Sequence, residues 1–344
     1  MKVLLVTSSY PPDVCGTAEY TVRLCEALKK IGVDAQIFYR TDWSLRQIPN
    51  LFKDLRAAKA DVIHTQYPQS GQGSTFGAQA LELLLPSVAT LHEVNDTHFL
   101  RQITLLPYLL RSRRILFTNE YERRYVKRFA PWIERRSSVI PVGCGIPIAA
   151  PRQKIGDTIT CFGIIRPTKG LEDVIAMARL LHESGSVARV RIVGALMPRF
   201  VSYFEDLRAQ SLTLPIDWMV GLDDTRLSEV LAESTMAYMP IADGAAERRT
   251  SLIAMLMNKS CVVTTRGSFT PDDMHGAMIF AQTPAEAAAH FLRLLAHPAE
   301  VEEVAQRGFD YAQKFDWELI AKQHQAVYES VLQSRRGSAA RIKR

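Results

Sequence analysis

The sequence predicts an α/β protein of two doubly wound domains, and three observations carry that prediction. Short apolar runs alternate with amphipathic stretches over residues 2–141 and again over residues 158–265. This is the signature of parallel sheets covered by helices on both faces. The alternation breaks once, in a stretch rich in Gly, Pro and Ala from Gly143 to Asp157, which has no helical periodicity and suits a linker. A chain of 344 residues is long enough for two domains, each with its own core.

The first half reads in order. Lys2 to Thr7 is a continuous apolar run, as a buried parallel strand should be. A loop with Pro11, Pro12 and Gly16 follows. Thr17 is expected to cap the next helix, and Gly32 to end it. Further strands are predicted near Ala35–Tyr39, Asp61–Thr65, Ser87–Leu91, Ile115–Thr118 and Ser138–Pro141, with helices between them. Such sheets bind ligands beyond the carboxyl ends of their strands, where Gly16, His64 and His92 are placed.

The second half repeats the pattern, with strands predicted near Thr158–Phe162, Val190–Val193, Ile216–Val220, Met236–Pro240 and Cys261–Thr265. The expected layout is an N-terminal Rossmann-like domain over 1–145, a linker over 146–157 and a C-terminal Rossmann-like domain over 158–313. A helix over 314–333 and a basic, frayed tail over 334–344 complete it.

Composition bounds the function. With 47% hydrophobic and 23% charged residues the chain is globular rather than fibrous or disordered. Five scattered cysteines without a C-x-x-C pair argue against a disulfide framework and a zinc site, and fit a reducing cytosol. The N-terminus reads as a strand rather than a signal peptide. No apolar run approaches the roughly 18 residues of a membrane span.

The most informative stretch is CFGIIRPTKG, Cys161 to Gly170. A strand runs into a turn at Gly163, Arg166 and Lys169 follow, and a helix opens at Leu171. Backbone N–H groups and the positive helix end suit a diphosphate there. The alternative is a strand-to-helix turn with two solvated cations.

These segments resemble the retaining glycosyltransferases of the GT4 family, which have the GT-B fold, two Rossmann-like domains facing each other across a cleft. PPDVCGTAEYTVRLCEALKKIGVD looks like the family's opening, with Thr17 in place of its second glycine. ADVIHTQYP and VATLHEV look like its two histidine-bearing strand ends, SSVIPVGCGIP like the segment before its linker, and FGIIRPTKG like the segment that holds the donor diphosphate. FDWELIAKQHQAVYESVL looks like the C-terminal helix that returns to the first domain; the resemblance implies that 1–145 is the acceptor domain and 158–313 the nucleotide-sugar domain.

Two departures matter. Ile164 stands where the family places its diphosphate arginine, with Arg166 nearer the lysine. Ala245 and Ile253 stand where the family has the E-x7-E glutamates, leaving Asp243, Gly244, Glu247, Arg248 and Arg249 around that helix opening. The chain therefore resembles a variant branch with an altered donor grip.

The resemblance implies sugar transfer with retention from a nucleotide sugar to a glycan or lipid-linked acceptor, in polysaccharide or glycoconjugate biosynthesis. It implies Arg166, Lys169 and His92 as catalytic, and Gly16, Thr17, Gly163, Asp243, Glu247, Arg248 and Arg249 as donor-binding. No cofactor and no metal is expected, because protein cations would stabilise the leaving diphosphate. A basic run from Leu109 to Arg136, interleaved with Tyr125, Phe129 and Trp132, suits an anionic membrane surface; the alternative is a solvated helix face. No nucleic-acid motif accompanies it. The expected location is the cytoplasm, peripheral at the inner membrane face. Rival readings are a GT-B sugar-nucleotide epimerase, which needs no acceptor, and a non-catalytic GT-B binding partner. A dinucleotide oxidoreductase lacks its G-x-G-x-x-G after the first strand.

Overall fold

The computed structural model describes residues 1–11, 15–68, 75–92, 94, 103–146, 148–150 and 152–342, without the side chains of 336–342. Pro12 of the opening loop, Glu93 beside His92, and Pro147 and Pro151 of the linker lie outside the described residues. The chain divides into two compact units: Met1–Gly145 together with Lys314–Arg344, and Ile146–Gln313.

The first unit holds strands β1 (Lys2–Thr7), β2 (Asp34–Tyr39), β3 (Val62–Tyr67), β4 (Val88–Leu91), β5 (Arg114–Phe117) and β6 (Ser137–Val139), in the order β2-β1-β3-β4-β5-β6. All pairs are parallel. Helices α1 (Gly16–Lys30), α2 (Ile48–Ala57), α3 (Gly77–Leu84), α4 (Leu106–Arg111) and α5 (Glu120–Lys127) connect them. Helix α1 ends as its glycine predicts. Gly32 adopts φ +83°, its N–H bonds Lys29 O, and the Val33 N–H bonds Leu28 O, which satisfies two end carbonyls. Its start differs from expectation. The cap position is Cys15, no side chain caps it, and Thr17 already lies inside the helix.

The second unit contains β7 (Ile155–Phe162), α6 (Leu171–Glu183), β8 (Arg189–Gly194), α7 (Val201–Gln210), β9 (Ile216–Val220), α8 (Asp224–Glu233), β10 (Ser234–Met239), α9 (Thr250–Met257), β11 (Cys261–Thr264) and β12 (Ile279–Phe280). Helices α10 (Pro284–Ala296) and α11 (Pro298–Ala312) follow. The sheet order is β12-β11-β10-β7-β8-β9, again parallel throughout. Its core joins Ile159, Ile192, Met236 and Val263 of the strands to Val174, Phe291 and Val304 of the helices.

The last helix, α12 (Trp317–Ile342), belongs to the first unit. Ile320, Ala321, Tyr328 and Val331 bury one stripe against Tyr20, Leu24 and Leu28 of α1. Each fully buried large apolar side chain there contributes roughly 1.5–3 kcal/mol. The helix continues beyond the predicted end at residue 333, so the backbone of the expected frayed tail is helical as far as Ile342. No helix among the described residues is long and apolar enough to cross a membrane.

Candidate active site

In the second unit the winding reverses between β7 and β10, the position at which doubly wound sheets bind ligands. A cavity of about 300 Å³ opens there. Gly163 follows β7 and its N–H bonds Val193 O at 3.0 Å, and the Ile165 N–H bonds Ala195 O at 2.9 Å. The turn is thus laid along the extension of β8, which aims the following segment into the cavity. Gly170 closes that segment with φ +66°, and a Cβ on it would meet Pro240 O at 2.5 Å. Only glycine satisfies both conditions.

Arg166, Lys169 and Arg249 all line this cavity, and Asp243 is the one carboxylate among its lining residues. Asp243 is already shared: it pairs with Arg249 and, at 2.8 Å, with Arg248. The Nε atoms of Arg166 and Arg249 are buried without a hydrogen-bond partner. Burial, reinforced by Arg166 and Arg249, holds the Lys169 ammonium below its usual pKa. A cavity with excess positive charge and unsatisfied buried donors is matched by an anion with several acceptor oxygens.

Of the expected donor-binding residues, Gly163, Asp243 and Arg249 line the cavity and Glu247 and Arg248 do not. Glu247 accepts a hydrogen bond from Tyr311 of α11 at 3.3 Å. Arg248 is exposed and stacks over Phe269, 5.2 Å from its ring centre. Gly244 shapes the segment through its backbone: φ is +87°, and a Cβ would meet Gly267 N at 2.1 Å. Ala245 and Ile253 are buried. Ser251, in the first turn of α9, lines the cavity and was not among the sequence-predicted residues. A serine just inside a helix that follows two arginines is the sequence signal by which it could have been found.

Gly16, Thr17 and His92 belong to the first unit. Gly16 is exposed at the start of α1, and Thr17 O accepts from Thr21 Oγ1 at 2.7 Å. His92 follows β4, its N–H bonding Tyr67 O at 2.8 Å, and is 9% exposed. Burial, helped by His324, lowers its pKa to about 4, so the ring is neutral at physiological pH. His92 Nε2 meets Gln66 Oε1 at 3.0 Å. Gln66 continues to His64, whose Nδ1 meets Tyr328 OH at 2.7 Å. His324 bonds Ile320 O through Nδ1 and Tyr20 OH through Nε2. This network ties the ends of β3 and β4 to α12.

The basic run is partly committed to internal contacts. Arg123 pairs with Glu120 and Glu134, Lys127 with Glu134, and Arg136 donates to the carbonyls of Leu109, Leu110 and Ser112. Leu109 is buried, whereas Leu110, Phe129 and Trp132 are exposed.

Residues 35–144 match the model of Glycosyltransferase Family 4. No curated protein shows significant sequence similarity to the chain. Solved structures align over nearly all of it. A glycosyltransferase from Rickettsia africae is 13% identical with a TM-score of 0.71, over 96% of this chain and 98% of that one. Anabaena HepE in complex with UDP is 14% identical with a TM-score of 0.67, over 96% and 100%. Sucrose-phosphate synthase from Thermosynechococcus elongatus is 16% identical with a TM-score of 0.65, over 97% and 100%. The chain has the GT-B fold, and residues 35–144 of its first unit are similar to Glycosyltransferase Family 4. Both six-stranded parallel sheets are the Rossmann-like halves of that fold.

Proposed function

We propose that this chain transfers a sugar from a nucleotide-sugar donor whose diphosphate sits in the β7/β10 cavity. The observation that carries the reading is the convergence of Arg166, Lys169 and Arg249 on one cavity of about 300 Å³ with two orphaned guanidinium Nε atoms. As the glycosidic bond breaks, negative charge grows on the β-phosphate, and cations already in place favour that state over the ground state. Arg166 and Arg249 offer planar forks for phosphate oxygens, and Lys169 a point charge. The UDP bound to the HepE relative supports a nucleoside diphosphate as the leaving group. On this reading the anomeric configuration is retained and these cations replace a metal at the leaving group. His92, neutral and buried, hydrogen-bonds a substrate hydroxyl.

The acceptor on this reading is a glycan or a lipid-linked glycan. Exposed Leu110, Phe129 and Trp132, beside exposed Arg111, Arg128 and Arg135, support docking on an anionic lipid surface. Calorimetric titration with UDP-, GDP-, ADP- and dTDP-sugars tests the donor assignment. One of them is expected to bind, with turnover that depends on an acceptor. Donor turnover without acceptor would indicate an epimerase, and no binding of any donor would overturn the reading.

A further inference from the structure

We propose that Gln66 is a positioning residue that locks His92 in its Nε2–H tautomer and so presents Nδ1 as a hydrogen-bond acceptor for a substrate hydroxyl. This rests on the proposed function only in the identity of the hydroxyl. The geometry is local. Gln66 is completely buried between two imidazoles. Its Oε1 lies 3.0 Å from His92 Nε2, and its Nε2 lies 3.3 Å from His64 Nε2.

A primary amide offers oxygen on one side and N–H on the other. The two ring nitrogens it touches must therefore take opposite roles. In the orientation present, His92 donates from Nε2 to the amide oxygen, and His64 accepts at Nε2. The Thr90 hydroxyl, 2.7 Å from the same His64 Nε2, donates to it as well, so His64 carries its proton on Nδ1, which it donates to Tyr328 OH at 2.7 Å. Among the described residues no hydrogen bond reaches His92 Nδ1. The ring is fixed by its edge-on contact with Tyr20, 5.1 Å between centres, and by the backbone bond from its own N–H to Tyr67 O. An imidazole whose other nitrogen is occupied has one tautomer and one available function. Here that function is acceptance of a proton-bearing hydroxyl, without the ring becoming charged.

The test begins with the unmodified full chain. With 15N-labelled histidine, the ring signals of His92, assigned by their loss in His92→Asn, are expected to show a protonated Nε2 and a bare Nδ1. In Gln66→Leu the two tautomers should mix, and kcat should fall roughly 10-fold, as for other residues that orient a functional histidine, with the donor KM little changed. Gln66→Glu keeps an acceptor beside Nε2 and should restore the single tautomer and most of the rate lost in Gln66→Leu. A protonated Nδ1 in the unmodified chain would overturn the proposal. So would a Gln66→Leu variant with the original tautomer and rate. The nitrogen signals are read without turnover, so failure of the donor assignment cannot be mistaken for failure here.

Discussion

A Cβ on Gly194 would lie 1.7 Å from the carbonyl oxygen of Gly163. The end of β8 thus touches, backbone to backbone, the turn that delivers Arg166 and Lys169 to the cavity. Gly194→Ala must push that turn aside. A stability loss of about 1–3 kcal/mol is expected, together with weaker nucleotide-sugar binding. Thermal denaturation and calorimetry check both. Native stability and affinity in that variant would show that the turn does not position the cations.

Ile253 is 2% exposed, on the inner side of α9. Placing the family's glutamate there would not recreate a sugar-binding carboxylate. Ile253→Glu buries a polar group without a prepared partner, at a cost on the order of 3 kcal/mol. The denaturant midpoint should drop clearly. An unchanged midpoint, with tighter donor binding, would mean that α9 can turn this position toward ligand.

Three buried histidines make the first unit acid-sensitive. Burial lowers His92 and His324 to about 4, and drives His64 well below its ordinary value. In the unfolded chain all three titrate near 6.5. Between about 6.5 and 4 the unfolded state therefore binds protons that the folded state does not, so stability falls as pH falls. Above about 6.5 these groups have no effect. Denaturation series from pH 7.5 to 4.5 should show this slope, reduced in His324→Gln. A flat series would contradict the buried, neutral network.

For the basic face, co-sedimentation with vesicles should rise with anionic lipid content and fall with salt. Phe129→Ser with Trp132→Ser should weaken it. Each well-placed cation contributes about 1 kcal/mol near the surface. Equal binding to neutral vesicles, or none to either, would remove the lipid reading.

Much of the fold was legible because its elements are locally marked. Val3 to Val6 form an unbroken apolar run, and Gly32 and Gly170 stand where left-handed backbone is needed. Helix α10 lies beyond the predicted elements although T-P-A-E announces it: Thr283 Oγ1 accepts from the Glu286 N–H, and Glu286 accepts from the Gln282 N–H. Thr17 misled because a threonine before an apolar helix face resembles a cap whether or not the helix has already begun. The cations of the cavity could be nominated from the strand–turn–helix pattern, but the separation of Arg249 from Glu247 and Arg248 could not. It depends on Tyr311, which engages Glu247, and on Phe269, over which Arg248 stacks, and these partners meet only after folding. The Gln66 bridge was invisible for the same reason, since the network around it pairs Tyr20 with His324 and His64 with Tyr328.

The central claim is that Arg166 and Lys169, with Arg249, hold a donor diphosphate. The most direct measurement is steady-state transfer with calorimetric donor binding for Arg166→Ala, Lys169→Ala and the double variant. Each single change removes charge that matters most as the leaving group forms, so the rate should fall about 100-fold or more along with affinity. The double variant should lose less than the product of the two, because both residues act on one leaving group. Near-normal affinity and rate in all three variants would contradict the diphosphate site and the sugar-transfer reading built on it.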